Sequence, residues 1–500
     1  MYFLLYLFNI DFSIIIDMRT NGILMAISSL PGDQGIGDFG ESAFEFVDLL
    51  KSAKIRIWQV LPLNPVGYGN SPYQSECGEA IDPIYISLKE LVKDGYLKTL
   101  KTFNKTSDRV DYEQVREFKE KYLRLAFKVQ KDTDSKEFKD FEKANKWLDN
   151  YTKFHIIFLK NNYLEWNKWD TIERYDPYQH KFNYAKYQKE ILYLKWCQFV
   201  AFKQFSKLKE YANANDIKIM GDIPFYVGGM SSDVWENQDD FLLDEQDRFT
   251  HIAGVPPDYF SKTGQRWGNP IYDWNQLKKD GYDFWMNRFK YASRMYDILR
   301  IDHFRAFDTY WKIPSSCPTA EVGQWIDGPR YDFFDTLKKS GVKLDIVAED
   351  LGDLFPSVLE LKNYYKFPGM YVLEFNFLNP SCEIEKNQIV YTGTHDNDTL
   401  VGWFKSLSKE EQNQVKLKMK ILKIKGRTIT EKFLNYAYES IADYVIIPMW
   451  DFLNLGSYSR MNVPGICGRP NWEFKLKNFD EFKKVLPSIL DLNVKNKRAK

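Results

Sequence analysis

Short apolar runs, rich in Val and Ile and bounded by polar or turn-forming residues, recur along the chain. They fall at residues 23–30, 55–63, 217–227, 298–304, 345–351, 370–375, 389–396 and 444–451. Runs that stay apolar instead of alternating suit strands buried on both faces. Several are separated by stretches of helical period. Residues 41–50 carry apolar residues at helical spacing between the first two runs, and 284–296 carry a similar pattern before the fourth. Strand alternating with helix predicts an α/β fold with a parallel sheet. Eight such units predict a closed (β/α)8 TIM barrel.

Two connections break the regular alternation. The stretch between the second and third strands is far longer than an ordinary connection. It is aromatic, charged and periodic, as in Val115-Arg116-Glu117-Phe118-Lys119-Glu120-Lys121-Tyr122-Leu123. It is expected to be a mainly helical inserted subdomain at about 64–216, within a single catalytic barrel spanning 18–500. A shorter insertion at about 228–274 follows the third strand. The last residues, 493–500, are basic and are expected to form a solvated, frayed end. The first 17 residues are apolar, but Asp11 interrupts them, no Lys or Arg precedes Arg19, and the run is short for a bilayer. They are expected to be an upstream extension or a mis-assigned start, with Met18 as a second possible start. No other segment is expected to cross a membrane.

Three of the apolar runs carry an acid at their ends: Asp302, Glu349 and Asp396. Parallel barrels place their chemistry at the carboxyl ends of strands, and paired carboxylates there are the equipment for breaking a glycosidic bond. A single acid in such a place also serves as a cap or as the partner of an arginine. Three, each ending its own strand, favour catalysis.

Composition narrows the partners. Lys plus Arg equals Asp plus Glu, at 69 each, so the basic field a nucleic-acid partner needs is missing. No nucleic-acid partner and no stable membrane association are expected. Aromatic residues make up 17% of the chain, with 14 Trp and 32 Tyr. Flat rings stack on sugars, although they also fill cores. The five cysteines, Cys77, Cys197, Cys317, Cys382 and Cys467, form no CxxC pair, and the five His residues show no HExxH spacing. Neither a disulfide framework, a metal site nor an organic cofactor is expected, and free thiols suit a cytoplasmic protein.

Several motifs appear in a fixed order. They are Ser28-Ser29-Leu30-Pro31, Asn70-Ser71-Pro72-Tyr73-Gln74, Gly221-Asp222-Ile223-Pro224-Phe225-Tyr226, the 256–270 stretch from Pro256-Pro257-Asp258-Tyr259-Phe260 to Arg266-Trp267-Gly268-Asn269-Pro270, the three acidic strand ends, and Ser459-Arg460-Met461-Asn462-Val463-Pro464-Gly465. With these motifs the chain, over about residues 18–478, resembles the 4-α-glucanotransferases called amylomaltase or disproportionating enzyme. These form glycoside hydrolase family 77 of the α-amylase clan.

The resemblance implies a retaining transfer of α-1,4-glucan segments to the 4-hydroxyl of an acceptor. That mechanism uses two carboxyls about 5–5.5 Å apart. By motif, Asp302 is the nucleophile, Glu349 the acid/base, and Asp396 the acid that grips sugar hydroxyls and favours the distorted ring. Arg300, two residues before Asp302 on a strand, points the same way and can hold it ionised. The apolar flank Ile346-Val347-Ala348 favours a raised pKa at Glu349. Asp222 is the fourth clan acid, expected to be structural near the site. His395 is a sugar ligand and Tyr73 a stacking platform. Trp267 and Asn462 complete the expected substrate contacts. Tyr259 and Phe260 belong to the 254–270 loop, expected to be a lid that keeps water from the intermediate. For His303, both a core position and a sugar contact are open.

Some positions depart from the family pattern. Ser75-Glu76-Cys77-Gly78-Glu79-Ala80-Ile81-Asp82-Pro83 replaces a Ser, Ala, Phe and Gly-Asn-Pro sequence. Trp450-Asp451 stands where Gln-Asp is usual, and Cys382 lies in a short stretch where a His-Asn pattern is usual. These positions are expected to bear on outer sugars and leave chain-length preference open. The expected substrates are maltooligosaccharides and starch or glycogen chains. A hydrolase of the same clan and a catalytically dead glucan-binding protein are the alternatives, and the intact acid trio argues against the second.

Overall fold

The structure, a computed structural model, describes residues 19–103, 107–257, 261–352 and 354–499. Residues 1–17, Tyr259 and Phe260 lie outside the described residues. Eight parallel strands form the central sheet: β1 (Thr20–Leu24), β2 (Ile57–Gln59), β3 (Lys218–Ile223), β4 (Ile298–Ile301), β5 (Asp345–Ala348), β6 (Gly369–Val372), β7 (Gln388–Tyr391) and β8 (Tyr444–Pro448). Their order is β6-β7-β8-β1-β2-β3-β4-β5. The remaining seam, β5 to β6, is bridged in two ways. The Ala348 amide donates to the Pro368 carbonyl at 2.9 Å. The Asp350 carboxylate accepts from the Met370 amide at 2.6 Å and from Lys362 at 2.7 Å. The molecule is thus the expected (β/α)8 TIM barrel with insertions.

Most strands end earlier than their apolar runs. β1 stops at Leu24, yet Met25, Ala26, Ile27 and Leu30 are buried beyond it. Val60, Leu61 and Leu63 do the same after β2. The turns at the barrel mouth are themselves packed under insertions, so apolarity does not mark where pairing ends.

The first barrel helix, Glu41–Ser52, covers the expected stretch and buries Ala43, Phe46, Val47 and Leu50. Asp283–Met295 covers the expected stretch before β4. Between β2 and β3 the chain runs through Tyr112–Phe127, Lys136–Ala144 and Trp147–Lys160 to the 27-residue helix Gln188–Ala214, which packs on β3 and on the first barrel helix. The departing stretch 75–83 is interior. Cys77, Ala80, Ile81 and Asp82 are buried, and Asp82 accepts from Arg116 at 2.9 and 2.6 Å. Trp450 and Asp451 are likewise buried. The buried members of these positions contribute to packing around the barrel mouth.

The structure adds an accessory sheet and corrects the reading of the tail. The two ends of 254–270 are strands: His251–Val255 pairs with Gln265–Pro270 on one side and with Thr309–Pro314 on the other, and Gln324–Asp327 completes a four-stranded sheet. Gly, Asn and Pro in an edge strand hid it from the pattern. The basic tail is not a frayed end through its described residues. Helix Asp480–Lys495 packs on the first barrel helix, and Arg498 is fully buried. Its guanidinium donates to the carbonyls of Tyr438 at 3.0 Å, Ala442 at 2.9 Å and Thr20 at 3.2 Å. Carbonyls at the base of the barrel lack ladder partners there, and a five-donor side chain satisfies several at once. Among the described residues no helix is long and apolar enough to cross a membrane.

Candidate active site

The register of β4 and β5 builds the centre. Ile301 pairs with Ala348, so Asp302 and Glu349 follow side by side at the strands' carboxyl ends. The ladder persists one step further, with the Glu349 amide donating to the Ile301 carbonyl at 3.1 Å. His303 then takes a left-handed conformation (φ 53°). That bend turns its amide back to donate to Glu349 Oε2 at 2.7 Å, while the Leu351 amide donates to Oε1 at 3.1 Å. Glu349 is therefore aimed by two backbone donors.

Arg300 is buried and joins neighbouring strands, facing its register partner Asp222 on β3 and Asp302 at the end of its own β4. Its Nη1 lies 3.0 Å from Asp302 Oδ1, and 2.8 and 2.7 Å from the two oxygens of Asp222. Tyr73 donates its hydroxyl to Asp222 Oδ2 at 2.8 Å. Gly221 is required beside Asp222, because a Cβ there would collide with the Tyr296 ring.

The third acid comes from the loop after β7. Asp396 Oδ1 accepts from Asn462 Nδ2 at 2.6 Å, and His395 Nε2 lies 3.5 Å from Oδ2. Arg460 fastens the two segments, donating to the carbonyls of Asp396 and Asn462 at 2.7 Å each. The Tyr73 ring stacks on His395 with centroids 5.2 Å apart and planes within 9°. Trp472 backs both rings, at 5.8 and 5.9 Å.

Electrostatics set the protonation of these groups. Burial pushes Asp302 and Glu349 up, each to about 7. Arg300 pulls both down, the charges of Asp222 and Asp396 raise Asp302, and the charge of Asp302 raises Glu349. Two such carboxyls titrate as a pair, and Arg300, in contact with Asp302, places the first negative charge there. Burial lowers His395 and lowers His303 to about 3, so both imidazoles are neutral at pH 7. Burial, then the charge of Asp222, holds the Tyr73 hydroxyl well above its ordinary value, so it stays a donor. The Asp302 side chain is 31% exposed and that of Asp396 44%, open to an incoming ligand.

The structure thus gathers Asp302, Glu349, Asp396, Tyr73, Asp222, Arg300, His395 and Asn462 around one mouth. Trp267, on the accessory sheet, meets the His303 ring edge-on at 4.8 Å. His303 leaves the strand and lies between Trp267 and Tyr226. Sequence reasoning did not single out Arg460 or Trp472. Arg460 sits two residues before Asn462 in a motif already marked, whereas nothing in the local sequence marks Trp472. Among the described residues no cluster of His, Cys, Asp and Glu is placed to hold a metal. Dialysis against a strong chelator is expected to leave the rate unchanged, and a loss restored by calcium or zinc would disprove this.

A family model described as 4-alpha-glucanotransferase matches residues 25–481. The chain belongs to the 4-α-glucanotransferase family. A 4-α-glucanotransferase of Synechocystis sp. is 42% identical over 483 residues, covering 92% of this chain and 94% of the relative. One from Clostridium butyricum is 41% identical over 470 residues, covering 91% and 96%. Among solved structures, the amylomaltase from Streptococcus agalactiae in complex with acarbose superposes with a TM-score of 0.89 at 32% identity, covering 96% of this chain and 99% of that one. The resemblance carried by the sequence motifs and the comparisons over most of the chain therefore agree.

Proposed function

We propose that Asp302, Glu349 and Asp396 carry out the reaction of this family member, the retaining transfer of α-1,4-glucan segments to the 4-hydroxyl of an acceptor. The observation that carries the assignment is the side-by-side placement of Asp302 and Glu349 one step past the β4–β5 register, with Arg300 at 3.0 Å from Asp302. In the first step a carboxylate oxygen of Asp302 attacks the anomeric carbon. The glycosidic C–O bond breaks as Glu349 gives its proton to the departing 4-oxygen. In the second, the acceptor 4-hydroxyl attacks the same carbon, Glu349 takes its proton, and the bond to Asp302 breaks. Asp396, aimed by Asn462 and Arg460, grips hydroxyls of the distorted ring. Tyr73 on His395 offers it a stacking face, and Asp222 fixes Tyr73 and Arg300. Trp267 extends the substrate wall. No metal and no organic cofactor takes part.

The division of the chain follows from the same proposal. Residues 64–216 are an inserted subdomain, and 228–274, with Tyr259 and Phe260, cover the intermediate against water. Maltooligosaccharides and starch or glycogen chains are the proposed substrates. The cytoplasm is the proposed compartment, supported by five cysteines free of disulfides.

Incubation with pure maltotriose tests the function. Glucose and a ladder of longer oligosaccharides are expected, with the number of reducing ends constant, because each transfer breaks one α-1,4 bond and makes another. Steady growth of reducing ends without products longer than maltotriose would instead mean hydrolysis.

A further inference from the structure

The segment from Thr392 to Leu400 leaves β7, carries His395 and Asp396, and enters the helix Leu400–Ser406. Both of its ends are tied to one side chain. Asp451 is fully buried on the short helix Met449–Phe452 that follows β8. Its Oδ2 accepts the Thr392 hydroxyl at 2.5 Å, and its Oδ1 accepts the Leu400 amide at 2.8 Å. Within the loop, Asn397 Oδ1 accepts from the Thr394 amide and hydroxyl at 2.9 and 2.8 Å, and Thr394 Oγ1 accepts from the Asp396 amide at 3.2 Å. Hydrogen bonds therefore fix the loop from its anchored ends up to the Asp396 backbone.

We propose that Asp451 is a positioning residue for glucan transfer: by clamping both ends of the 392–400 loop it sets how far Asp396 reaches toward the donor sugar. The inference rests on the proposed role of Asp396 at the distorted ring. A contact that matters most in the transition state shows in kcat more than in KM. Misplacement by about 1 Å costs on the order of a hundredfold. Two acceptor contacts, not a charge, are what the clamp needs. Burial pushes the Asp451 carboxyl up to about 7, with Thr392 and the Leu400 amide pulling it down. An amide can replace it: the Asn oxygen takes the Leu400 N–H, and its NH2 donates to a Thr392 hydroxyl turned to accept.

The test compares Asp451→Ala, Asp451→Asn, Thr392→Val and Asp396→Asn on maltotriose, with thermal unfolding as the check on folding. Asp451→Ala is expected to lower kcat about tenfold to a hundredfold, with KM within about threefold. Asp451→Asn is expected to stay within about fivefold of wild type. Thr392→Val, which removes one clamp bond from the other side, is expected to lose several-fold in kcat. A folded Asp451→Ala that keeps half its kcat, a loss confined to KM, or an Asn variant as slow as the Ala variant would each overturn the proposal. If Asp451→Ala does not fold, an unchanged kcat in Thr392→Val overturns it. Asp396→Asn separates the two levels. Activity there sinks the role of Asp396 and the clamp together, whereas an inactive Asp396→Asn beside an unimpaired Asp451→Ala sinks the clamp alone.

Discussion

Asp302→Asn is expected to lower the transfer rate by on the order of 10⁴–10⁶-fold, the scale on which enzymes lose a covalent nucleophile. That corresponds to about 5–8 kcal/mol of lost transition-state stabilisation. The amide is nearly the shape of the carboxylate, so the fold should survive. Arg300 keeps both oxygens of Asp222 at 2.8 and 2.7 Å, and the Asn oxygen can face it in place of Asp302 Oδ1. What disappears is the anionic oxygen that attacks the anomeric carbon. The loss should therefore be the same for poor and good leaving groups, and no glycosyl–enzyme should be seen by mass spectrometry with either. Asp302→Ala guards against slow reversion of Asn to Asp. A variant that keeps a tenth of wild-type transfer, or still forms the covalent adduct, would show that another group is the nucleophile.

The trio was legible because an acid at the end of an apolar run is anomalous against its background. Arg300 was legible for the same reason, and strand alternation put it beside Asp302 without any tertiary information. The eight strands were legible because both faces of each are buried, which leaves a continuous apolar signature. Their ends were not. Ala26, Ile27, Val60 and Leu61 are as buried as the strands they follow, and only hydrogen bonding distinguishes them. The accessory sheet was hidden because its strands are short and partly exposed, and pair across wide separations, as Thr309–Pro314 does with His251–Val255. Arg498 was misread because a cluster of positive charge at a chain end usually means solvent. Here one member fills a ring of carbonyls that only the closed barrel creates. The orienting residues Arg460, Trp472 and Asp451 belong to the same class. Arg460 and Asp451 stand in stretches the motifs had marked, yet their contacts with the 392–400 segment cross about 50 residues or more of chain, and no local pattern shows them.

Glu349→Gln should also be severe on natural glucans, though less so than Asp302→Asn, and should differ from it in kind. The Gln oxygen can keep the 2.7 Å bond from the His303 amide, while its NH2 faces the Leu351 amide and forfeits the 3.1 Å bond, so one of the two aiming contacts remains. The side-chain amide has no proton to give the departing 4-oxygen, and general acid–base catalysis contributes about 10²–10⁴-fold. A donor whose leaving group departs without a proton, such as a glycosyl fluoride, removes the need for the acid in the first step but not for the base in the second. The first step should then run close to the wild-type rate while transfer to an acceptor sugar stays slow, so the glycosyl ester on Asp302 should accumulate. The pH profile supplies an independent mark. Burial raises Glu349 to about 7, Arg300 pulls it down and the charge of Asp302 raises it further, so the proton needed for the first step is present below that value and lost above it. Wild-type turnover of natural glucans should fall as pH rises through the neutral range, and should fall again at low pH as Asp302 becomes protonated. The first step of Glu349→Gln on the fluoride, followed as fluoride released in the first turnover, should lose the alkaline fall and keep the acidic one, because only Asp302, still a free carboxyl before that step, titrates. Equal losses on both donors, no accumulated ester, or an alkaline fall that survives the substitution would place the acid/base on another residue.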